Sequence, residues 1–236
     1  MNKKTLTFLA IGLAILLVSS AIAAYILVTR NDEGTIRVAC VGDSLTQSTM
    51  YPLDLATLLG GGYSVRNFGA GSTTVLRISE TPYMNTSLYQ NALAYEPNIV
   101  IIMLGTNDAQ PSLHPYNASF VGDYVALVNS FQALASKPQI WVVLPPPLFS
   151  NQSGKISPEF LRSILIPDIE QAANQTNSPV IDVYSALLNY PNYFPDGEHF
   201  NNAAARLIAN TIYDAINSQN ATAAPVSFVV VWVRQQ

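Results

Sequence analysis

The sequence predicts an α/β domain in which helices cover both faces of a parallel β-sheet. Short apolar runs rich in β-branched residues alternate along the chain with longer segments whose apolar residues recur at helical spacing. The run Asn98–Leu104 is apolar at every position after its first residue, as is typical of a central strand that is buried on both faces. Strands that alternate with helices require right-handed crossovers, which place the strands side by side in one parallel sheet.

Five segments are predicted as strands because they are short, apolar and bounded by Gly, Pro or polar turn residues. In chain order they are Thr35–Cys40, Tyr63–Phe68, Asn98–Leu104, Gln139–Leu144 and Val180–Val183.

Five helices are predicted between and after these strands from apolar spacing and from start and stop residues. They are Tyr51–Leu59, Leu88–Tyr95, Asp123–Ser136, a helix that begins at Ser157-Pro158-Glu159, and Asn201–Ser218. Ser157 followed by Pro158 combines a cap with proline in the first turn, and Pro167 is predicted to kink that helix near its middle.

The first 30 residues form a separate region with the pattern of a membrane anchor. Lys3 and Lys4 precede Thr5–Val28, a stretch of 24 residues without charge, and about 20 residues suffice for a helix to cross the hydrocarbon core. A cleavable signal peptide is the alternative, because small residues occur at Ala21–Ala24; the apolar run nevertheless continues past them. The charge distribution predicts a cytoplasmic amino terminus and a domain outside the cytoplasm, with secretion after cleavage as the alternative.

Residues 31–220 have the length of one α/β domain with a full-sized core. Residues 221–236 form an apolar tail, in which 226–233 are either an edge strand or a disordered end.

The net charge of −4 and the scarcity of Lys and Arg argue against a nucleic-acid partner. Cys40 is the only cysteine, so no internal disulfide can form, and its position in the first strand indicates a small buried apolar residue. The oligomeric state is not specified by any of these patterns.

Ser44 is the first candidate for chemistry, because it comes directly after the first predicted strand in Val41-Gly42-Asp43-Ser44. Ligands of open α/β sheets bind at the carboxyl ends of the strands, and a serine at a helix start is also favourably placed for a developing negative charge. The alternative is that Ser44 is only a helix cap, since serine is a preferred capping residue.

His199 is the candidate base for a serine nucleophile. Asp196 lies three residues before it, a spacing that allows the carboxylate to orient the imidazole while the other ring nitrogen faces Ser44. The alternative is that Asp196 only caps the last helix and that His199 lies in its first turn.

The tetrahedral intermediate of acyl transfer also needs hydrogen-bond donors. The candidates are the backbone amides of Ser44 and Gly69 and the side-chain amide of Asn107, although ordinary turn chemistry also explains Gly69 and Asn107. The remaining polar residues near the strand ends are candidates for lining the site: Asp43, Thr106, Asp108 and His114. His114 lies between apolar and proline neighbours and is otherwise a surface residue, and Asp43, Asp108 and Asp196 are alternatively ligands for a hard cation such as Mg²⁺.

Four blocks of the sequence together resemble the SGNH, or GDSL, family of serine esterases and lipases. The blocks are Gly42-Asp43-Ser44-Leu45, Asn67-Phe68-Gly69, Gly105-Thr106-Asn107-Asp108 and Asp196-Gly197-Glu198-His199. The resemblance covers about residues 37–216. It implies a flavodoxin-like three-layer α/β/α sandwich with five parallel strands, catalytic Ser44, Asp196 and His199, oxyanion donors at Ser44, Gly69 and Asn107, and no metal or organic cofactor.

The chain departs from the family pattern in two places. Gln47-Ser48 stands where members often have glycine after the serine, and Phe200 stands where they often have proline after the histidine. These departures concern the shape of the loops around the site and therefore the substrate rather than the reaction.

The resemblance favours a carboxylic ester hydrolase, and more narrowly an esterase that removes O-acetyl groups from carbohydrates. Two alternatives stay open from the sequence: a lysophospholipase or thioesterase acting on lipid acyl esters, and a non-catalytic module that binds glycans with the same fold.

Overall fold

The computed structural model describes residues 34–149 and 155–223. Its core is one sheet of five parallel strands in the order β2-β1-β3-β4-β5, which is the order of doubly wound flavodoxin-like folds. The strands are β1 (Ile36–Gly42), β2 (Tyr63–Gly69), β3 (Ile99–Met103), β4 (Gln139–Leu144) and β5 (Val180–Asp182). The predicted five-stranded parallel sheet is therefore confirmed.

Eight α-helical segments lie in the described residues. They are α1 (Ser44–Gln47), α2 (Tyr51–Leu59), α3 (Ser87–Ala94), α4 (Phe120–Gln132), α5 (Pro158–Phe160), α6 (Ile166–Gln175), α7 (Val183–Leu187) and α8 (Asn202–Ala223). Short 3-10 segments cover Tyr83–Asn85, Asn107–Ala109, Pro111–Ser119 and Pro191–Tyr193.

The sheet has a separate apolar core on each face because successive side chains of a strand point to opposite sides. On β3, Ile101 packs in the core beneath α2 and α8, whereas Val100 and Ile102 pack in the core beneath α3, α4 and α6. All residues of β3 are buried, as its apolar sequence predicts. The three-layer α/β/α arrangement is thus also confirmed.

The carboxyl ends of the central strands lie at one edge of the sheet. Gly42, the last residue of β1, is opposite Gly69 on one side and Met103 on the other. The loops that follow β1, β2 and β3 therefore start next to one another, and this edge positions the residues described below.

The helix that was predicted over Asp123–Ser136 is observed at Phe120–Gln132. It begins earlier because the segment Pro111–Ser119 leads directly into it and because Phe120 is buried. It ends earlier because the Leu134 N–H bonds to Phe131 O at 3.1 Å, three residues back, so the α-helical hydrogen-bond pattern stops there. Leu134 still packs against the core beyond the helix end.

Ser157 caps α5 as predicted, because its side chain accepts the N–H of Phe160 at 3.2 Å. A π-helical turn, Leu161–Leu165, separates α5 from α6. Pro167 follows in the first turn of α6, where the missing N–H of proline leaves the fewest hydrogen bonds unmade.

The predicted membrane segment Thr5–Val28 and the apolar tail 226–233 lie outside the described residues. Between residues 34 and 149 and between 155 and 223, no helix is both long enough and apolar enough to cross a membrane.

Candidate active site

Ser44 lies where β1 passes into α1, and it is the first residue of that helix rather than its cap. Asp43 is the cap: its Oδ1 accepts the N–H of Leu45 at 2.9 Å. The alternative that Ser44 only caps the helix is therefore wrong. The side chain of Ser44 is left free to face the ring of His199.

The Ser44 hydroxyl, the His199 ring and the Asp196 carboxylate form one hydrogen-bonded chain. Ser44 Oγ lies 3.1 Å from His199 Nε2, although the two residues are 155 positions apart. His199 Nδ1 lies 2.9 Å from Asp196 Oδ2. Since a carboxylate only accepts hydrogen bonds, Nδ1 carries the proton and Nε2 is free to accept the proton of the Ser44 hydroxyl.

Asp196 binds the backbone of its own turn with its second oxygen. Asp196 Oδ1 accepts the N–H of Glu198 at 2.9 Å and the N–H of His199 at 2.6 Å. Partial burial raises the pKa of Asp196, but these hydrogen bonds and the one from the His199 ring outweigh it, so its pKa is lowered. The carboxylate is therefore ionised and fixed in place. The side chains of His199 and Asp196 are 45% and 54% exposed, so the site is open to solvent.

The three predicted oxyanion donors differ in how their hydrogens are used. The Ser44 N–H is the first of α1 and so has no partner within that helix. Asn107 Nδ2 donates to Thr73 O at 3.0 Å; an amide nitrogen carries two hydrogens, which leaves one for a ligand. The Gly69 N–H donates to Asn67 Oδ1 at 2.9 Å. It becomes an oxyanion donor only when that bond is exchanged or shared.

Two glycines at the strand ends are required by packing. A Cβ on Gly69 would lie 2.3 Å from Gln47 N, and a Cβ on Gly42 would lie 2.7 Å from Met103 O. The missing side chain of Gly69 thus lets α1 approach β2. The sequence favoured glycine at this position for close approach to a reacting oxygen, whereas the contact observed here is with the backbone of α1.

Asn67 is a residue whose role the sequence did not indicate. Its Nδ2 donates to Thr46 O at 2.8 Å and to Gln47 O at 3.3 Å, and its Oδ1 holds the Gly69 N–H. One side chain therefore ties the end of α1 to the end of β2. The only signal in the sequence was its place in the block Asn67-Phe68-Gly69.

Asp43 and Asp108 are fully buried carboxyl groups near the site. Burial raises the pKa of each to about 7, against the lowering effect of the backbone N–H groups that they accept. Asp108 accepts the N–H of Val75 at 2.9 Å and of Leu76 at 2.8 Å, so it holds the loop after β2. Asp43 Oδ2 and the buried Thr106 Oγ1 have no hydrogen-bond partner within the described residues.

His114 is not part of the hydrogen-bonded chain. Its ring stacks on Phe160 with the centroids 3.6 Å apart, and its Nε2 donates to Ala109 O at 3.2 Å. His114 therefore joins the segment after β3 to α5. Glu198 is half-buried beside His199, and this partial burial raises its pKa.

The acidic, histidine and cysteine side chains form no metal-binding cluster in the part of the chain that the structure describes. No group of three or more His, Cys, Asp or Glu side chains there is placed to hold one. Asp43, Asp108 and Asp196, the alternative cation ligands, instead bind backbone N–H groups separately.

A family model described as the GDSL-like lipase/acylhydrolase family matches residues 40–207. An acetylxylan esterase of Xylanibacter ruminicola is 31% identical over 210 residues, which covers 78% of this chain and 44% of that protein. The chain thus spans less than half the length of this curated relative.

Solved structures of esterases share the fold. A carbohydrate acetylesterase from Sinorhizobium meliloti has a TM-score of 0.64 at 20% identity, over 78% of this chain and 99% of that one. An aryl esterase from M. smegmatis has a TM-score of 0.65 at 22% identity, over 78% and 99%. A lipase/acylhydrolase from Enterococcus faecalis has a TM-score of 0.64 at 22% identity, over 78% and 96%.

Proposed function

The chain belongs to the GDSL-like lipase/acylhydrolase family, and from this we propose that it is a serine esterase that removes acetyl groups from carbohydrates. The observation that carries the proposal is the chain of hydrogen bonds from Ser44 through His199 to Asp196. The likeness to an acetylxylan esterase supports the carbohydrate acetyl ester as the substrate class.

In the proposed reaction, Ser44 Oγ attacks the carbonyl carbon of the ester while His199 Nε2 takes its proton. Asp196 holds the ring and stabilises the imidazolium that forms. The developing oxyanion accepts hydrogen bonds from the Ser44 N–H and from the second hydrogen of Asn107 Nδ2, and the Gly69 N–H joins them after releasing Asn67.

His199 then passes its proton to the departing sugar oxygen, which leaves an acetyl group on Ser44. A water molecule then attacks the acetyl carbonyl carbon while His199 Nε2 takes its proton, and the bond from the acetyl group to Ser44 Oγ breaks as His199 returns the proton to Oγ and acetate is released. In these steps Ser44 carries the acyl group, His199 carries the proton, and Asp196 and the oxyanion donors stabilise the charges, so the proposed reaction requires no cofactor.

Replacement of Ser44 by alanine tests the proposal. We expect Ser44→Ala to lower kcat for an aryl acetate by about 10³-fold or more, since the nucleophile is lost, without changing the far-UV circular dichroism spectrum. A fluorophosphonate should add its mass to the wild-type chain at Ser44 and not to the variant. Full turnover in Ser44→Ala, or no labelling of the active wild type, would contradict the proposal.

The acyl chain that the site prefers separates this proposal from a lipid esterase. We expect turnover of acetyl esters to exceed that of long-chain esters and thioesters on the same full-length chain. Preference for a long acyl chain would instead support a lysophospholipase or thioesterase.

Residues 5–28 are further proposed to anchor the chain in a membrane with the esterase domain outside the cytoplasm. The support is the uncharged length of this stretch and the lysines before it. The full-length chain should stay with the membrane pellet in alkaline carbonate, and its amino terminus should be intact. A soluble product that begins near Ala24 would show cleavage and secretion instead.

A further inference from the structure

A groove with a volume of about 420 Å³ lies between two loops that follow neighbouring strands. One wall is formed by residues of the segment 74–81 after β2 and the other by residues of the segment 110–116 after β3. We propose that this groove, called here the loop groove, binds the neutral sugar chain that carries the ester. This inference rests on the proposed esterase function and adds to it the place where the carbohydrate is held.

The position of the loop groove follows from the chain on either side. Its first wall begins shortly after Gly69, and its second wall begins directly after the segment that starts at Asn107. Asn107 Nδ2 donates to Thr73 O, the residue next to Thr74 in the groove wall. The first wall therefore starts one residue from the carbonyl that Asn107 binds, which is the side of the site into which a glycan bound in the groove would extend.

The side chains of the loop groove combine apolar surface with neutral polar groups. Tyr116 and Ile78 are 48% and 63% exposed although they are large and apolar. Gln110 contributes an amide and Ser112 a hydroxyl, and Glu80 is the one acidic residue of the lining. A pyranose ring has an apolar face that packs on an aromatic ring and hydroxyl groups that pair with amide, hydroxyl and carboxylate groups.

The charge of the lining selects against anionic ligands. None of the described residues that line the groove is Lys, Arg or His, so a phosphate or carboxylate would find no cationic partner there. The volume lies in the range of about 300–1,000 Å³ that is usual for small-molecule sites. A neutral saccharide fits both the charge and the size.

The first wall is held in place before any ligand binds. Asp108 accepts the N–H groups of Val75 and Leu76, and Asp123 accepts the N–H of Arg77 at 2.9 Å. The Thr74 N–H donates to Thr81 O at 3.1 Å. A preformed wall lowers the entropy that is lost on binding, so the loop groove is a site rather than a gap between mobile loops.

Substitution of Tyr116 distinguishes glycan binding from catalysis. The full-length chain is assayed with p-nitrophenyl acetate, which carries no sugar, and with acetylated xylo- and manno-oligosaccharides. We expect Tyr116→Ala to lower kcat/KM for the better oligosaccharide by about tenfold, through loss of ring stacking, and to leave the aryl acetate within about twofold. Tyr116→Phe, which keeps the ring, should retain most of the oligosaccharide activity.

Tyr190 provides a matched control, because it is a 40% exposed tyrosine that does not line the groove. Tyr190→Ala should change neither substrate's kcat/KM. An equal loss in Tyr190→Ala, an equal loss for both substrates in Tyr116→Ala, or no loss in Tyr116→Ala would overturn the inference.

Direct binding gives the second measurement. Calorimetric titration of the full-length Ser44→Ala chain with deacetylated xylohexaose and mannohexaose should show binding of at least one of them, and Tyr116→Ala in the same background should weaken it about tenfold. No binding of either oligosaccharide, or binding that Tyr116→Ala leaves unchanged, would overturn the inference.

Failure of the proposed function has a different signature: no turnover of p-nitrophenyl acetate, or turnover that Ser44→Ala leaves unchanged. Active enzyme that hydrolyses p-nitrophenyl acetate and neither acetylated oligosaccharide would overturn the loop groove as a glycan site while leaving the esterase intact.

Discussion

At the scale of single residues, Asp196 uses its two oxygens for two different tasks. One accepts the Nδ1–H of His199, and the other accepts two backbone N–H groups of the same turn. The first task sets the ring tautomer, and the second sets the position of the carboxylate. Replacement by asparagine separates them, because an amide keeps one acceptor oxygen and replaces the other with a donor.

We expect Asp196→Asn to lower kcat for an aryl acetate by about 10²–10⁴-fold, because the new NH₂ group disfavours the tautomer in which Nε2 accepts the serine proton. Thermal denaturation should show a folded protein. Asp182→Asn is the matched control, since Asp182 also accepts a backbone N–H, that of Ser185 at 2.8 Å, and has no contact with His199 among the described hydrogen bonds. A similar loss of kcat in both variants would mean that Asp196 acts only through the fold.

At the scale of the elements, the contact between α1 and β2 determines where Ser44, the proposed nucleophile, lies. The end of α1 is held by the side chain of Asn67 and packs directly on Gly69. The hydroxyl of Ser44 and the proposed oxyanion donors are therefore positioned by the same contact. A change in the spacing of α1 and β2 should affect both.

Substitution of Gly69 by alanine tests this contact. The added Cβ would lie 2.3 Å from Gln47 N, so we expect Gly69→Ala to push α1 away, to lower the free energy of unfolding by about 1–3 kcal/mol and to reduce kcat. Denaturant unfolding and an aryl acetate assay measure the two effects.

Gly122 is the control for the cost of adding a methyl group. It lies in α4, and a Cβ there meets no atom within 4 Å. Gly122→Ala should raise the free energy of unfolding by about 0.5–1 kcal/mol, since glycine is unfavourable inside a helix, and should leave kcat unchanged. A tolerated Gly69→Ala with wild-type kcat would show that α1 moves without consequence for the site.

The strands and the central part of each helix could be predicted from the sequence, whereas some helix ends could not. The strands were predictable because each is a short apolar run between turn residues. A run of this length and composition is typical of a buried parallel strand. The start of α4 could not be predicted. Phe120 continues the 3-10 segment Pro111–Ser119, which contains two prolines and has no helical periodicity in its sequence. Local pattern predicts an element better than its ends, because packing decides which terminal residues join it.

The candidate site also has features that the sequence predicts and features that it does not. The proximity of Ser44, Asp196 and His199 was predictable, because Ser44 follows a strand, Asp196 and His199 share one short turn, and the chain has only two histidines. The hydrogen bond from Gly69 to Asn67 and the burial of Asp43 were not. The hydrogen bond is a detail of how β2 ends, and Asp43 is buried near Asp108, Glu198 and His199, which lie far from it in sequence. Neither feature can be read from the spacing within one segment.

At the scale of the whole molecule, two carboxyl groups that the proposed reaction does not use are buried beyond the ends of the strands. Asp43 and Asp108 are both fully buried, and burial raises the pKa of each to about 7 from an ordinary value of 3.8. Below pH 3.8 these groups are protonated in the folded and the unfolded chain alike. As the pH rises toward 7, the unfolded chain ionises them first, so their contribution to stability is progressively lost.

The folded protein should therefore become less stable between pH 5 and pH 7. One pKa unit corresponds to about 1.4 kcal/mol, so the two carboxyl groups together should lower the free energy of unfolding by an amount on the order of a few kcal/mol across this interval. Asp196, whose pKa is lowered, has the opposite sign, but it acts only at more acidic pH. Urea unfolding at constant ionic strength measures the slope.

Asp43→Asn assigns part of that slope to one residue. The asparagine oxygen can still accept the Leu45 N–H that Asp43 Oδ1 accepts at 2.9 Å, and no charge has to be buried, so the helix cap is kept while the pH dependence is lost. We expect the variant to be more stable relative to wild type at pH 8 than at pH 5. If the free energy of unfolding depends on pH equally in both proteins, Asp43 does not contribute to the slope and its pKa is not raised in the folded state.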